Sequence, residues 1–440
     1  MLPQTVRVLQ MQGVDSRAPD AAGRVTDLRV RADQGGIELI DRMSPEWREM
    51  CDGCADGQPF RRPEWIRAYL KHFMPRGNVV ILSVRAGGRL VSLLPLVTGR
   101  VLFSGLPARR LGAPVNLYSY RFDIACSTNE TGRVAVRALW EALKELSAWD
   151  VIQFDHLPED GMLRGLQRLA EFDGFATTCQ EGLRNPFIPL TGWDGDPDWW
   201  LLRCGRHFRH TFRTAARKAS AAGQISLRRV TAATENDLES FYALEASGWK
   251  GDAGTAIESQ RDTRDFYTEI LKTAANFGYL SMYFLDLDGH PIAAHLGLTY
   301  RQRYYALKCG YDESLAAFAP GHLIVNAILQ DCAGRGLAEF EFLGTMDDWK
   351  RKWTSSYRPL GTLCILRKNV YGSCLRAAHV AEVRLRSAAR GLLGAAHIGP
   401  RGRSVQKALH APEIAVRRST PGKSSSNAAS LPNASERGPA

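Results

Sequence analysis

Apolar residues recur in two patterns along the chain, and each pattern occurs twice. The run VVILSVRAGGRLVSLLPLV, residues 79–97, alternates and breaks at Gly87-Gly88, which predicts a strand, a tight turn and a second strand. LSMYFLDLDGHPIAAHLGL, residues 280–298, predicts the same hairpin with Asp288-Gly289 as its turn. Ahead of each hairpin the apolar spacing becomes helical, in EWIRAYLKHF and in FYTEILKTAANF. Behind each hairpin come a helix and an apolar strand: 134–146 followed by DVIQFDHL, and 322–333 followed by AEFEFLG. A duplicated α+β unit with a mixed sheet follows from this order, helix, antiparallel hairpin, helix, strand; an alternating parallel sheet does not.

The pattern divides the chain into an N-terminal extension over 1–36, polar and weakly patterned, a first unit over 37–190, a second over 191–366, and a tail over 367–440. The join, TGWDGDPDWW, reads as a linker running into a helix, with Asp196 as the N-cap and Pro197 in the first turn. The tail opens with one helical stretch, about 370–393, carrying arginines at 376, 384, 386 and 390; a disordered Ser, Ala, Asn and Pro-rich end follows.

Composition narrows the class. Hydrophobic residues make up 45% and charged residues 23% of the chain, enough apolar material for more than one core. The net charge of +11 suggests nucleic acid at first sight, but residues 367–440 hold 13 Lys and Arg against 3 Asp and Glu, so +10 lies in the tail and the rest is nearly neutral. Contact of the tail with an anionic membrane or a polysaccharide-synthesis partner, or simple solvation, accounts for that charge. Nine scattered cysteines with a single C-x-x-C pair, Cys51 and Cys54, and no apolar leader predict a soluble protein of a reducing cytoplasm. Cys204, His207 and His210 lack a second ligand pair, so no metal is expected.

Four groups of residues offer chemistry. In YDESLAAFAPGHLI, Pro320-Gly321 opens a helix after a loop, within Ala319, Pro320, Gly321, His322 and Leu323; proline suits the first helical position, and glycine lets a phosphate approach the positive helix end. On AEFEFLG, strand alternation puts Glu339 and Glu341 on one face and Phe340 and Phe342 on the other, a carboxylate pair that suits either a working role or the solvent face of an edge strand. His295, among apolar residues of a hairpin strand, is a candidate base or donor, or a core histidine. Arg206, Arg209, Arg213 and Arg217 line one helix face that suits phosphates, an anionic carrier or solvent, while Trp249 and Lys250 lie in a Gly-rich loop of the kind that covers a substrate cleft.

The second unit, with LEASGWKG, the hairpin ending in AAHLGL, YDESLAAFAPGHLI and RGLAEFEFLGTMDDWKRKW, resembles the GNAT-superfamily acyltransferases. More narrowly, it resembles their double-GNAT branch associated with cellulose or exopolysaccharide synthesis, related to the Fem-type peptidyltransferases. The resemblance spans about residues 37–366 and is most specific over 240–353. It implies two tandem GNAT-like domains, the first degenerate, and transfer of an acyl group, most simply acetyl, from acyl-CoA to a primary amine of a small or saccharide-linked acceptor.

The usual Q/R-x-x-G-x-G/A pyrophosphate loop is absent; the matching place is Ala319 to Leu323, while the first unit offers only Ser127 to Thr131 at the equivalent helix start. Glu341 stands where the family has Asp in D-F-x-G and is the implied base or anchor; Lys350 matches a recurrent lysine after the last helix. The reaction also requires a donor to the departing thiolate, for which Tyr311 and Tyr357 are candidates. Arg209, Arg213, Trp249 and Lys250 are the substrate-binding candidates. Two other functions remain compatible with the resemblance: Fem-like transfer of an aminoacyl group from tRNA, and a silent accessory role in polysaccharide assembly.

Overall fold

The computed structural model describes residues 17–19, 25–54, 57–116, 118–126, 130–247 and 256–396. The duplicated pattern appears as two similar series of elements. The first runs β2 (Val25–Gly35), α1 (Ile37–Gly53), α2 (Pro63–Phe73), β3 (Val79–Ala86), β4 (Arg89–Phe103), β5 (Leu106–Gly112), a short β6 (Ala125–Cys126), α3 (Glu130–Glu145), β7 (Val151–Pro158), α4 (Arg164–Phe172) and β8 (Ala176–Pro189), with β1 (Arg17–Pro19) ahead of it. After α5 (Trp199–Arg203) and α6 (Arg206–Ala222) the second runs β9 (Ile225–Val230), α7 (Glu235–Ala246), α8 (Arg261–Asn276), β10 (Met282–Leu287), β11 (His290–Tyr300), β12 (Arg303–Tyr311), α9 (Pro320–Gly334), β13 (Glu339–Glu341), α10 (Asp348–Arg351) and β14 (Tyr357–Leu366). A last helix, α11 (Val370–Ala396), follows.

Both predicted hairpins form. Gly87 and Gly88 have φ of 56° and 86°, and Asp288 and Gly289 have φ of 50° and 79°; two successive positive φ values give the turn twist that a two-residue hairpin needs. One mixed sheet of the described strands runs in the order β1-β2-β3-β4-β5-β7-β14-β8-β13-β12-β11-β10-β9, with β6 beside β4. The crossing of the two series is notable: β14 lies between β7 and β8 of the first series, and the last residues of β8, Phe187 to Pro189, pair with β13 of the second.

The equivalent helices α2 and α8 pack on each other. Trp65 and Phe266 meet edge to face at 5.3 Å, and Glu269 accepts from Arg67 at 2.9 Å and Lys71 at 2.6 Å. The largest core is consequently shared, holding Trp47 and Trp65 together with Phe241, Tyr267 and Tyr305. Separate apolar clusters lie under α3, around Trp140 and Phe154, and under α9, around Ile328 and Phe340.

Three local expectations change. The supposedly unpatterned N-terminal extension contains β2, which pairs with β3 from Leu28 to Gly35; arginines and aspartates between its apolar residues hide its alternation. Asp196 does not cap a helix: its Oδ1 accepts from Asp198 N at 2.9 Å and its carbonyl from Trp199 N, so a turn precedes α5. Glu339 and Glu341 do not lie on an edge strand, because β13 is interior, between β12 and β8.

The chain forms two compact units, Met1–Ala381 and Glu382–Ala440. The described part of the second is the end of α11, where Arg386 pairs with Glu382 one turn away. The remainder of the tail, the loop with Trp249 and Lys250, and Ser127 to Asn129 lie outside the described residues.

Candidate active site

The site forms where two parallel strands part. β12 and β13 pair only over Arg303–Tyr305 and Glu339–Glu341. Beyond that point β12 continues to Tyr311, whereas the chain leaves β13 through Leu343 and Gly344, both at positive φ, 55° and 62°. A bulge opposite Leu296 and Gly297 sets Leu307 out of register on β12. Its carbonyl accepts from the Tyr120 hydroxyl at 2.8 Å, so a residue of the first series reaches into the gap between the strands.

Glu341, at the last paired position, is fully buried. Arg121 Nη2 donates to one of its oxygens at 2.7 Å and Arg358 Nη1 to the other at 2.6 Å. Arg358 also reaches Glu339 at 2.7 Å, and Arg303 pairs with Glu339 at 3.0 Å. With its amide oriented to satisfy both neighbours, Asn185 accepts from Arg121 Nε at 3.2 Å and donates to the Gly344 carbonyl at 2.7 Å. Four chain segments therefore converge on one carboxylate. Both of its oxygens are engaged by guanidinium groups, an arrangement that fixes geometry.

The turn after β13 is held by Lys350. Its Nζ donates to the carbonyls of Leu343 and Thr345, each at 2.9 Å, and lies 3.3 Å from Asp347. Burial lowers the Lys350 pKa, while the Asp347 charge opposes that shift. Burial likewise raises the Tyr120 and Tyr267 phenols, which stay protonated at neutral pH. His295 is buried on β11, directly across from Cys309 of β12 and 6.4 Å from the Phe340 ring.

The Pro320-Gly321 helix start adjoins the open end of the gap. Ala319 takes the left-handed conformation (φ 50°, ψ 49°), Pro320 occupies the first turn, and the Ala319 carbonyl accepts from His322 N and Leu323 N. At Gly321 a Cβ would stand 3.2 Å from the Tyr311 ring, so glycine here permits a close approach between helix and strand end. His322 packs against Phe208 at 4.9 Å and accepts from Trp353 Nε1 at 3.1 Å through Nδ1, which puts the proton of the neutral ring on Nε2. Burial, aided by Lys352, lowers its pKa to about 4.

The predicted arginine stripe on α6 faces elsewhere. Arg209 donates to the Leu202 carbonyl and Arg213 pairs with Asp198, so both tie α6 to α5 and the linker. A neighbouring face of α6, with His210, Thr211, Thr214 and Lys218, lines a groove of about 230 Å³ with Ala317, three residues before Pro320. Thus Glu341, Lys350 and Tyr120 meet at the strand gap, and Tyr311 with the Ala319–Leu323 segment meets at the helix start. Arg209 and Arg213 stand apart.

Sequence reasoning missed Arg121, Arg358, Asn185 and Tyr120. No local motif marks them, because their partners are distant in the chain. Among the described residues no group of three or more His, Cys, Asp or Glu side chains is arranged to hold a metal ion, and no helix is long and apolar enough to cross a membrane.

A mixed sheet whose parallel strands part beside a helix start is a layout that acyl transfer from a nucleotide thioester can use: the gap admits the acyl arm and the helix end favours phosphate. Residues 206–351 match the family model described as an acetyltransferase (GNAT) domain. Over these residues the chain carries a GNAT N-acyltransferase domain, and the domain implies an acyl-CoA co-substrate and an acyl acceptor.

Among solved structures, the crystal structure of FemX matches with a TM-score of 0.52 at 14% identity, covering 74% of this chain and 96% of FemX, which shows the fold. A tandem GNAT protein from the clavulanic acid biosynthesis pathway matches at 0.40 and 12% identity, covering 77% and 99% of the two chains. L-PGS from Bacillus licheniformis matches at 0.41 and 10% identity, covering 65% and 84%. No curated protein matches the chain in sequence.

Proposed function

We propose that this chain transfers an acyl group, most simply acetyl, from acyl-CoA to a primary amine of a small or saccharide-linked acceptor. The observation that carries this reading is the parting of β12 and β13 beside the Pro320-Gly321 helix start, within the stretch that matches the GNAT model. In this reading the donor's pyrophosphate lies at Ala319 to Leu323, at the positive end of the α9 dipole and beside Gly321, where no side chain stands in the way. The thioester enters the strand gap, and Tyr311, beside Gly321, protonates the departing thiolate.

Glu341 anchors the site through Arg121 and Arg358, and Lys350 fixes the turn that ends β13. His295 supports the gap from the opposite strand. The resemblance of residues 240–353 to the polysaccharide-associated double-GNAT branch supports the saccharide-linked acceptor, for which Trp249 and Lys250 are the binding residues this reading assigns from sequence. The sequence resemblance to the Fem-type peptidyltransferases keeps aminoacyl-tRNA as the second donor class to test.

Thermal unfolding with acetyl-CoA, free CoA and longer acyl-CoAs tests the reading. A ligand at about a hundred times its dissociation constant stabilises the folded state by roughly 2.7 kcal/mol. The expected result is a rise in Tm that is lost in Gly321→Glu, whose carboxylate opposes the phosphates, while that variant keeps its own unfolding transition. No shift with any CoA compound refutes the proposal, and stabilisation by aminoacyl-tRNA in its place selects the Fem-like alternative.

A further inference from the structure

The gap between β12 and β13 has two faces, and they are furnished differently. On one lies the helix start: Ile324 and Val325 of α9, with Leu323 and Tyr311, pack in the same apolar cluster as Ala306 and Phe340. On the other lies the shared core, with Tyr305, Leu307 and Tyr267, and with Tyr118 packed against it. Glu341 belongs to this second face, because it is paired with Tyr305 and neighbours across a ladder project to the same side. With the donor's pyrophosphate at the α9 start, the face opposite α9 is the one left for the acceptor.

Lys308 is an amine on that opposite face, three residues beyond the last paired position of β12. Strict alternation would send it to the α9 side, away from Leu307. The bulge changes this: Lys308 pairs with Leu296 and Ala306 with Gly297, so Leu307 is the extra residue and Lys308 turns to the same side as Leu307. Its Nζ stands 5.0 Å from the centre of the Tyr118 ring and 5.7 Å from that of Tyr267. Both rings are fixed. Tyr118 donates to Gln260 Oε1 at 3.1 Å and stacks on Phe73 at 5.8 Å, while Tyr267 is fully buried and meets Phe266 at 5.3 Å. The adjoining Leu307 carbonyl is pinned by Tyr120. A half-buried lysine is thus held against two aromatic rings beside the open part of the gap. Lys350 differs, since its ammonium is committed to the carbonyls of Leu343 and Thr345.

We infer that Lys308 is itself an acyl acceptor, so that the protein acylates its own Lys308 when acyl-CoA is bound and the external acceptor is absent. The inference rests on the donor placement proposed above. The Lys308 ammonium gives one proton to solvent, and Nζ attacks the thioester carbonyl carbon. A C–N bond forms as the C–S bond breaks, and the second proton leaves with the coenzyme A thiol. The product is an amide, which unlike the thioester does not pass the acyl group on. It also removes the charge held at the Tyr118 and Tyr267 rings and fills the acceptor face, so the modification acts as a brake on the transferase.

The test is incubation of the full chain with acetyl-CoA, followed by peptide mass spectrometry. An amine held beside a bound thioester reacts without a diffusional encounter, so Lys308 should gain the acetyl group at least about tenfold faster than the exposed Lys71 and Lys352. Excess free CoA should suppress this labelling and spare the other two. Lys308→Arg, which keeps a cation over the rings, should abolish it without lowering the rise in Tm with acetyl-CoA. Labelling of Lys308 that is no faster than that of Lys71 and Lys352, or that free CoA does not diminish, overturns the inference. A Tm rise with acetyl-CoA but no selective labelling overturns it and leaves the donor site standing, whereas no rise with any CoA compound overturns both.

Discussion

Replacing Glu341 by alanine tests the reading that four segments are locked around one buried carboxylate. The carboxylate is fully buried, and its partner Arg121 has only 3% of its side chain exposed. Removing one member of such a pair leaves an uncompensated buried charge, which costs about 3–5 kcal/mol. Arg358, one-quarter exposed, also keeps Glu339, so most of the loss falls on Arg121. At about 2.1 cal/mol/K per residue, a cooperative unit of roughly 350 residues has an unfolding entropy near 0.75 kcal/mol/K, and the loss becomes about 4–7 °C in Tm. Differential scanning calorimetry, with urea titration for the free energy, reads this directly. Arg121→Ala should be similarly destabilised, and the double variant should lose less than the sum. If Glu341→Ala unfolds within about 1 kcal/mol of the unaltered chain, the charge cluster does not hold the segments and the reasoning fails. Activity supplies a second reading: an anchor lowers turnover without moving the pH profile, whereas loss of a proton-abstracting limb identifies Glu341 as the base.

Other expectations follow from single contacts. His322, whose pKa falls from 6.5 to about 4 on folding, remains unprotonated in the folded protein while the unfolded chain takes up a proton; stability is full well above pH 6.5 and falls toward pH 4, by about 2 kcal/mol between pH 7.5 and 5. Urea midpoints across that range should show this fall, and His322→Gln should remove it; an unchanged pH dependence in the variant refutes the assignment. Lys350→Met strips charged donors from two carbonyls, and a loss of about 1.5–3 kcal/mol, with kcat falling more than KM rises, should appear in urea unfolding and steady-state assays. Gly310→Ala puts a Cβ 2.5 Å from the Glu245 backbone, and because neither β12 nor α7 can yield as a side chain would, at least about 1–3 kcal/mol should be lost by the same titration.

The repeated α+β units could be read in the sequence because their signals are local. Alternation with paired turn residues fixed both hairpins, and helical spacing fixed α2, α8 and α9. The segment AEFEFLG yielded the correct faces for Glu341 and Phe340 but a strand of only three residues, because parting from β12 ends the pairing. What stayed hidden depends on distance in the chain. Arg121 meets Glu341 across 220 positions, and Tyr120 meets Leu307 across 187, with no spacing rule to link them. The α6 arginines show the opposite difficulty: their periodicity was real, yet Asp198 and the Leu202 carbonyl lay beside them, so a regular stripe served a structural contact. Burial of polar groups follows from tertiary packing, which periodicity does not report.

The position of β14 between β7 and β8 bears on how the chain emerges during synthesis. Val151 to Pro158 and Ala176 to Pro186 gain their shared neighbour only when residues 357–366 have left the ribosome, some two hundred residues later. Until then a nascent chain holds two long strands with unsatisfied backbone facing one another across a missing partner, a template for pairing with other chains. Such high contact order slows folding, so the first series is expected to form its α3 cluster early and to close its sheet after translation of the second. A chain cut just before Tyr357 should therefore aggregate through its first half, although every residue of that half is present.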